Sequence, residues 1–153
     1  MDAAKGTKMA TYSAAHNIAV NYRAALQFVF AGKAVFTVVN DDTGVRFTYR
    51  VQVCKDNPNL HFVSVLSGPD NTRDYSYLGT VWKGQSYKHC LKSRVGADAQ
   101  SAKVFSWILR RFVANHVPQQ VRVHHEGRCC QCGRRITTPE SIASGIGPVC
   151  ANR

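Results

Sequence analysis

Lys33-Ala34-Val35-Phe36-Thr37-Val38-Val39-Asn40, then Asp41-Asp42-Thr43-Gly44, then Val45-Arg46-Phe47-Thr48-Tyr49-Arg50-Val51-Gln52-Val53-Cys54, is the stretch that decides the fold. Val45, Phe47, Tyr49, Val51 and Val53 alternate with Arg46, Thr48, Arg50 and Gln52. Side chains alternate between the two faces of a strand, so this pattern predicts a half-buried antiparallel strand with one apolar side. The Asp-Asp-Thr-Gly segment between the two runs is turn chemistry, and the pair reads as a hairpin.

Outward from this hairpin the same period continues. Leu60 to Leu66 reads as a third strand after Asp56-Asn57-Pro58-Asn59, and Tyr75 to Trp82 as a fourth after Ser67-Gly68-Pro69-Asp70-Asn71. A four-stranded antiparallel meander is expected. Before it, Asn21 to Phe30 is rich in helix formers and stops at Ala31-Gly32, with Leu26, Val29 and Phe30 turned inward. After it, Ala102, Phe105, Ile108, Leu109 and Phe112 recur at helical spacing within Asp98 to Asn115, and Pro118 closes the segment. That helix is expected across the apolar face of the sheet. Val121 to Val123 reads as a short strand leading into the C-terminal segment.

The C-terminal segment carries the clearest chemistry: Gly127-Arg128-Cys129-Cys130-Gln131-Cys132-Gly133-Arg134-Arg135, Thr138-Pro139-Glu140-Ser141-Ile142 and Gly145-Ile146-Gly147-Pro148-Val149-Cys150. Cys129 and Cys132 have zinc-knuckle spacing, and Gly133 suits the tight turn that follows. Thr138 can cap a helix of about two turns with Pro139 at its first position, and Gly145 stops it. Cys150 at a last short turn supplies a third thiolate. The fourth ligand is read as His125, with His124 and Cys130 as competitors. The arrangement is that of a treble-clef-like module with one structural zinc; buried or disulfide-bonded cysteines are the alternative.

The stretch from His125 to Cys150 resembles a family of small proteins of unknown function found in bacteriophages and in actinobacterial and proteobacterial genomes. Its pattern is His-Glu-Gly-x-Cys-x-x-Cys-Gly-Arg-x-(Leu/Ile)-Thr-x-Pro-Glu-Ser-Ile followed by Gly-x-Gly-Pro-x-Cys. Phe47-Thr48-Tyr49-Arg50 and Tyr77-Leu78-Gly79 resemble pieces of the domain that often precedes this motif. The resemblance implies a bound metal and an architecture, and no activity.

The expected fold class is therefore α+β: residues 1–20 a flexible N-terminus, 21–120 an α+β body, and 121–153 a zinc-binding module. At 153 residues and 44% hydrophobic content the chain can bury a real core. It has no apolar run long enough to cross a bilayer. Met1 to Ala15 lacks the order of a signal peptide, so a cytoplasmic location, in a bacterial host if the chain is phage-encoded, is the expectation.

Charge is the functional hint outside the cysteines. The formal net charge is +11, and from Lys83 to Arg135 eleven Lys or Arg face only Asp98 and Glu126. Lys83, Lys88, Lys92, Arg94, Lys103, Arg110, Arg111, Arg128, Arg134 and Arg135 are candidates for phosphate contact, with Tyr87 available for stacking. The bland reading is a solvated basic surface, and Arg134 and Arg135 can equally pair with Glu140.

Catalysis finds little support. His124-x-Glu126 with Cys129-x-x-Cys132 is superficially the zinc-deaminase signature, but only two residues separate the halves and Cys150 would close the coordination sphere. There is no His-Glu-x-x-His, phosphate-binding glycine loop or nucleophile elbow, and no catalytic residue is assigned. The expectation is a non-enzymatic basic protein contacting nucleic acid or a nucleoprotein complex. The alternative, which rests on the genomic company of the similar family, is a counter-defence inhibitor that occupies a host defence protein.

Overall fold

The computed structural model describes residues 22–70, 73–125 and 131. Helix α1 (Tyr22–Val29) precedes strands β1 (Lys33–Asn40), β2 (Arg46–Cys54), β3 (Asn57–Leu66), β4 (Tyr75–Trp82) and β5 (Ser86–His89). Helix α2 (Gln100–Val113) and strand β6 (Val121–His125) follow. The strands form one sheet in the order β5-β4-β3-β2-β1-β6, and each neighbouring pair is antiparallel. The first five strands are a meander, and α2 carries the chain from the β5 edge to the opposite edge, where β6 pairs with β1.

The turns follow from their residues. At the β1–β2 turn the Asn40 side-chain oxygen accepts from the backbone N–H of Asp42 and Thr43 at 2.9 and 3.3 Å, and Gly44 takes a φ of +75°. Between β4 and β5, Lys83 and Gly84 both have positive φ (55° and 66°), and Gln85 N–H donates to the Trp82 carbonyl at 3.1 Å. Two positive φ values in succession are the type I′ pattern, whose twist matches that of the flanking strands. Pro58 is accommodated where the register of β2 and β3 shifts between Val53 and Cys54. The end of α2 is a Schellman motif: Asn115 is left-handed (φ 58°), its N–H donates to Phe112 O, and His116 N–H donates to Arg111 O at 2.9 Å.

Both helices contribute to one core on one face of the sheet. Ala25, Phe28 and Val29 of α1 and Phe105, Ile108, Leu109 and Phe112 of α2 cluster with Ala34, Phe36, Val38, Tyr49, Val51, Val63, Val65, Val81, Val121 and Val123. Burying each large apolar side chain contributes about 1.5–3 kcal/mol, and this cluster is the main source of stability. The α2 residues expected to be buried are buried; in α1, Val29 is buried as expected and Phe28 also takes a deep position, while Leu26 and, just past the helix, Phe30 are only partly buried.

The expected fold class is corrected. Among the described residues the fold is mainly β, a six-stranded sheet with helices of 8 and 14 residues, and not an α+β body on a four-stranded meander; the expected treble-clef-like module falls almost wholly outside the described residues. Two short segments account for the added strands. The Lys83-Gly84 turn folds Ser86–His89 back onto β4, and Val121–His125 is a full edge strand in register with β1. Among the described residues no three His, Cys, Asp or Glu side chains are grouped so as to hold a metal ion. The N-terminal residues 1–20 and the residues Cys129, Cys130, Cys132, Cys150, Arg128, Arg134 and Arg135 lie outside the described residues.

Candidate functional site

The sheet face away from the helices is where the chain exposes rings and cations together. Alternation sends Leu60, Phe62, Ser64 and Leu66 of β3 to this outer face, because His61, Val63 and Val65 face the core. A bulge between Val63 and Ser64 sets Leu78 into the core while Tyr77 stays outside, opposite Ser64. Phe62, Tyr77 and Trp82 are 37%, 39% and 45% exposed, and the Phe62 and Tyr77 ring centroids are 6.3 Å apart at 59°. On the same face the Arg50 guanidinium lies over the Tyr75 ring, 4.3 Å from its centroid.

The segment after β5 runs along β4 and brings cations to these rings. Cys90 N–H donates to Leu78 O at 2.9 Å, and Ser93 Oγ donates to Tyr77 O at 2.5 Å. Lys92, Ser93 and Arg94 thereby line a pocket of about 350 Å³ with Tyr75, Ser76 and Tyr77. Lys88, paired with Thr80, is exposed, and Lys83 sits in the adjoining turn. Burial, and then the nearby Cys90, pushes the Tyr77 phenol above its usual range.

The remaining basic residues lie elsewhere. Lys103 and Arg110 are on α2, on the other side of the sheet, where they line a groove of about 610 Å³ with Tyr87, His89 and Trp107. Arg111 is engaged structurally, since its Nε donates to His116 O at 2.9 Å beyond the helix end. Tyr87 faces this helical side, 5.3 Å from the Phe105 ring. His89 Nε2–H donates to Val95 O at 2.8 Å, which leaves Nδ1 to accept from the Tyr87 hydroxyl at 2.7 Å. Burial first, then Tyr77 and Cys90, pushes the Tyr87 phenol up to about 12.

The ten basic candidates therefore do not form one surface. Lys88, Lys92 and Arg94 gather on the β4 side, Lys103 and Arg110 on α2, and Arg128, Arg134 and Arg135 lie outside the described residues. The rings of Phe62, Tyr77 and Trp82 were not singled out from sequence. The available signal was that β3 is apolar on both alternating sets, Leu60/Phe62/Leu66 as well as Val63/Val65, although among the described residues the helices cover only one face.

His124 and His125 are both buried at the end of β6. His125 shares the core face with Val121 and Val123 and lies 5.9 Å from the Phe28 ring, whereas His124 is on the outer face opposite Thr37. Successive strand residues point to opposite sides, so the two imidazoles cannot serve one ion together.

Among the described residues no helix is long and apolar enough to cross a membrane. No curated protein matches the chain, and no solved structure does. The segment from Val123 to Arg153, which begins inside β6 and contains the cysteine motif, matches a family described as a family of unknown function, DUF6011.

Proposed function

We propose that the protein is a basic, non-enzymatic binding protein that contacts the phosphate backbone of nucleic acid through the outer face of its sheet and the segment 90–94. The observation that carries this reading is that Lys92 and Arg94 line one pocket against Tyr77 of β4 while Lys88 lies opposite Thr80 of the same strand, and all three are exposed. Among the described residues none of the three is held in an ion pair, while Arg73 and Arg122 are paired with Asp70 and Asp41. Unpaired cations on a chain of net charge +11 attract phosphates and release counterions on binding, which needs no base sequence.

Fluorescence anisotropy with random-sequence oligonucleotides at about 50 and about 200 mM salt tests the reading, because this range changes multi-phosphate binding by orders of magnitude. The combined Lys92→Glu and Arg94→Glu variant is expected to weaken binding to every sequence and to flatten the salt slope by about two phosphate contacts. Absence of affinity at the lower salt would refute it and favour a protein target.

We further propose that Cys129, Cys132, Cys150 and His125 hold one structural zinc ion. The support is the donor set, since thiolates and imidazole are the ligands zinc prefers and the Cys-x-x-Cys spacing brings two together. Purified protein is expected to contain about one equivalent of zinc, reduced by Cys132→Ser or Cys150→Ser. Metal-free protein of unchanged stability would refute this assignment.

A further inference from the structure

We propose that the occupant of the outer face is a single-stranded polynucleotide, whose bases stack on Phe62 and Tyr77 and whose backbone runs past Lys88, Lys92 and Arg94. The inference rests on the nucleic-acid reading above and adds what the cations alone do not specify, the strandedness of the ligand.

Three observations point to a single strand. The first is that the sheet spends large apolar side chains on solvent: Phe62, Tyr77 and Trp82 are more than a third exposed on one face, where polar residues would suit an unoccupied surface better. The second is spacing. The Phe62 and Tyr77 centroids are 6.3 Å apart and their planes differ by 59°. Bases along a duplex strand are about 3.4 Å apart and already sandwiched by their neighbours. Successive bases reach both rings only if they are drawn apart and turned, which a single strand permits and a duplex does not.

The third is the placement of charge. The pocket of about 350 Å³ that Lys92 and Arg94 line is walled by Tyr77 itself, so a base on that ring has a phosphate-binding pocket beside it. Lys88 lies opposite Thr80, between Tyr77 and Trp82 along β4, where a continuing backbone would pass. Tyr75, already covered by the Arg50 guanidinium, is not counted as a stacking surface. Stacking on rings is indifferent to base identity, so the expected ligand is single-stranded and broadly sequence-tolerant. Deoxyribose and ribose strands share this chemistry.

Anisotropy titrations at one salt concentration compare a labelled single-stranded DNA, the RNA of the same sequence and the corresponding DNA duplex. The full chain is expected to bind at least one single strand about tenfold or more tightly than the duplex. Phe62→Ala and Tyr77→Ala are each expected to weaken single-strand binding about 5- to 150-fold, the range measured for loss of one base–aromatic stack. Duplex affinity is expected to change less than about twofold, and Tyr77→Phe, which keeps the ring, to retain single-strand affinity. In a Trp107→Phe background Trp82 is the one remaining tryptophan, and its emission is expected to quench on single-strand binding.

Equal affinity for duplex and single strand, unchanged by the alanines, would overturn the stacking inference and leave the phosphate reading standing. No binding to any of the three would remove both. Self-association that Phe62→Ala and Tyr77→Ala abolish, without any preference for single strands, would assign the face to a second copy of the chain and likewise overturn the proposal.

Discussion

Tyr49 ties the sheet to helix α2, and its two functional parts can be separated by mutation. The side chain is fully buried at the centre of β2, with its ring 5.3 Å from Phe105, 5.9 Å from Phe36 and 6.4 Å from Phe47. Its hydroxyl donates to the Ser101 carbonyl at 2.6 Å, in the first turn of α2. Burial, and then the nearby Tyr87, holds the phenol far above its usual range, which favours the protonated donor form. Tyr49→Phe removes that hydrogen bond and leaves the ring in place. The Ser101 carbonyl still accepts the helical bond from four residues on, so the cost is the net value of one hydrogen bond, about 1 kcal/mol. Tyr49→Ala also removes the buried ring and leaves a cavity, which costs about 3–5 kcal/mol. In urea unfolding with a slope of about 2 kcal/mol per molar, these correspond to midpoint shifts of about 0.5 M and about 2 M. Equal losses for the two variants, or no loss for Tyr49→Phe, would refute the division of labour between hydroxyl and ring.

Two further outcomes follow from the backbone and from a buried imidazole. Gly79→Ala places a Cβ against the Lys88 carbonyl oxygen, and within 3.0 Å of His89 Cα and 3.1 Å of Cys90 N. All three are backbone atoms that cannot swing aside, so a destabilisation of about 3 kcal/mol is expected, with faster hydrogen exchange in β5; a loss within about 0.5 kcal/mol would contradict the packing. His61 is buried with Nε2–H donating to Phe30 O at 3.1 Å, and its Nδ1 has no partner among the described residues. Burial lowers its proton affinity, partly opposed by the Phe30 carbonyl. The folded pKa thus lies below the unfolded value of 6.5, so the imidazole's contribution is present above pH 6.5 and lost as pH falls through the folded pKa. Denaturant unfolding at pH 7 and at pH 5 is expected to show a smaller difference for His61→Gln than for the wild type.

The strand period was legible because one face of β1 to β4 is apolar and alternation is a local property of the chain: Phe47, Tyr49 and Val51 declare their face without reference to any partner. The helix α2 was equally legible from Ala102, Phe105, Ile108, Leu109 and Phe112. β5 was hidden because its turn is Lys83-Gly84, with a lysine where Asn or Asp would have announced a type I′ hairpin, and because four residues carry little periodicity. β6 was read only as a lead-in to the cysteine motif, since its five residues reveal nothing of the β1 edge they occupy.

The candidate site divides in the same way. The sequence by itself determined the donor types and the charge: closely spaced thiols, adjacent histidines and an excess of Lys and Arg are matters of composition and spacing. Only the tertiary structure decided which cations share a surface, because strand pairing sets Lys88 opposite Thr80 and the Ser93–Tyr77 hydrogen bond brings Lys92 and Arg94 beside the rings of β4, while Lys103 and Arg110 ride on a helix across the sheet. It also separated His124 from His125, adjacent in sequence yet on opposite faces of β6. Which of β3's two apolar sets is buried depends on where α1 and α2 pack, and that contact joins residues far apart in the chain, so local periodicity could not reveal that Phe62 faces solvent.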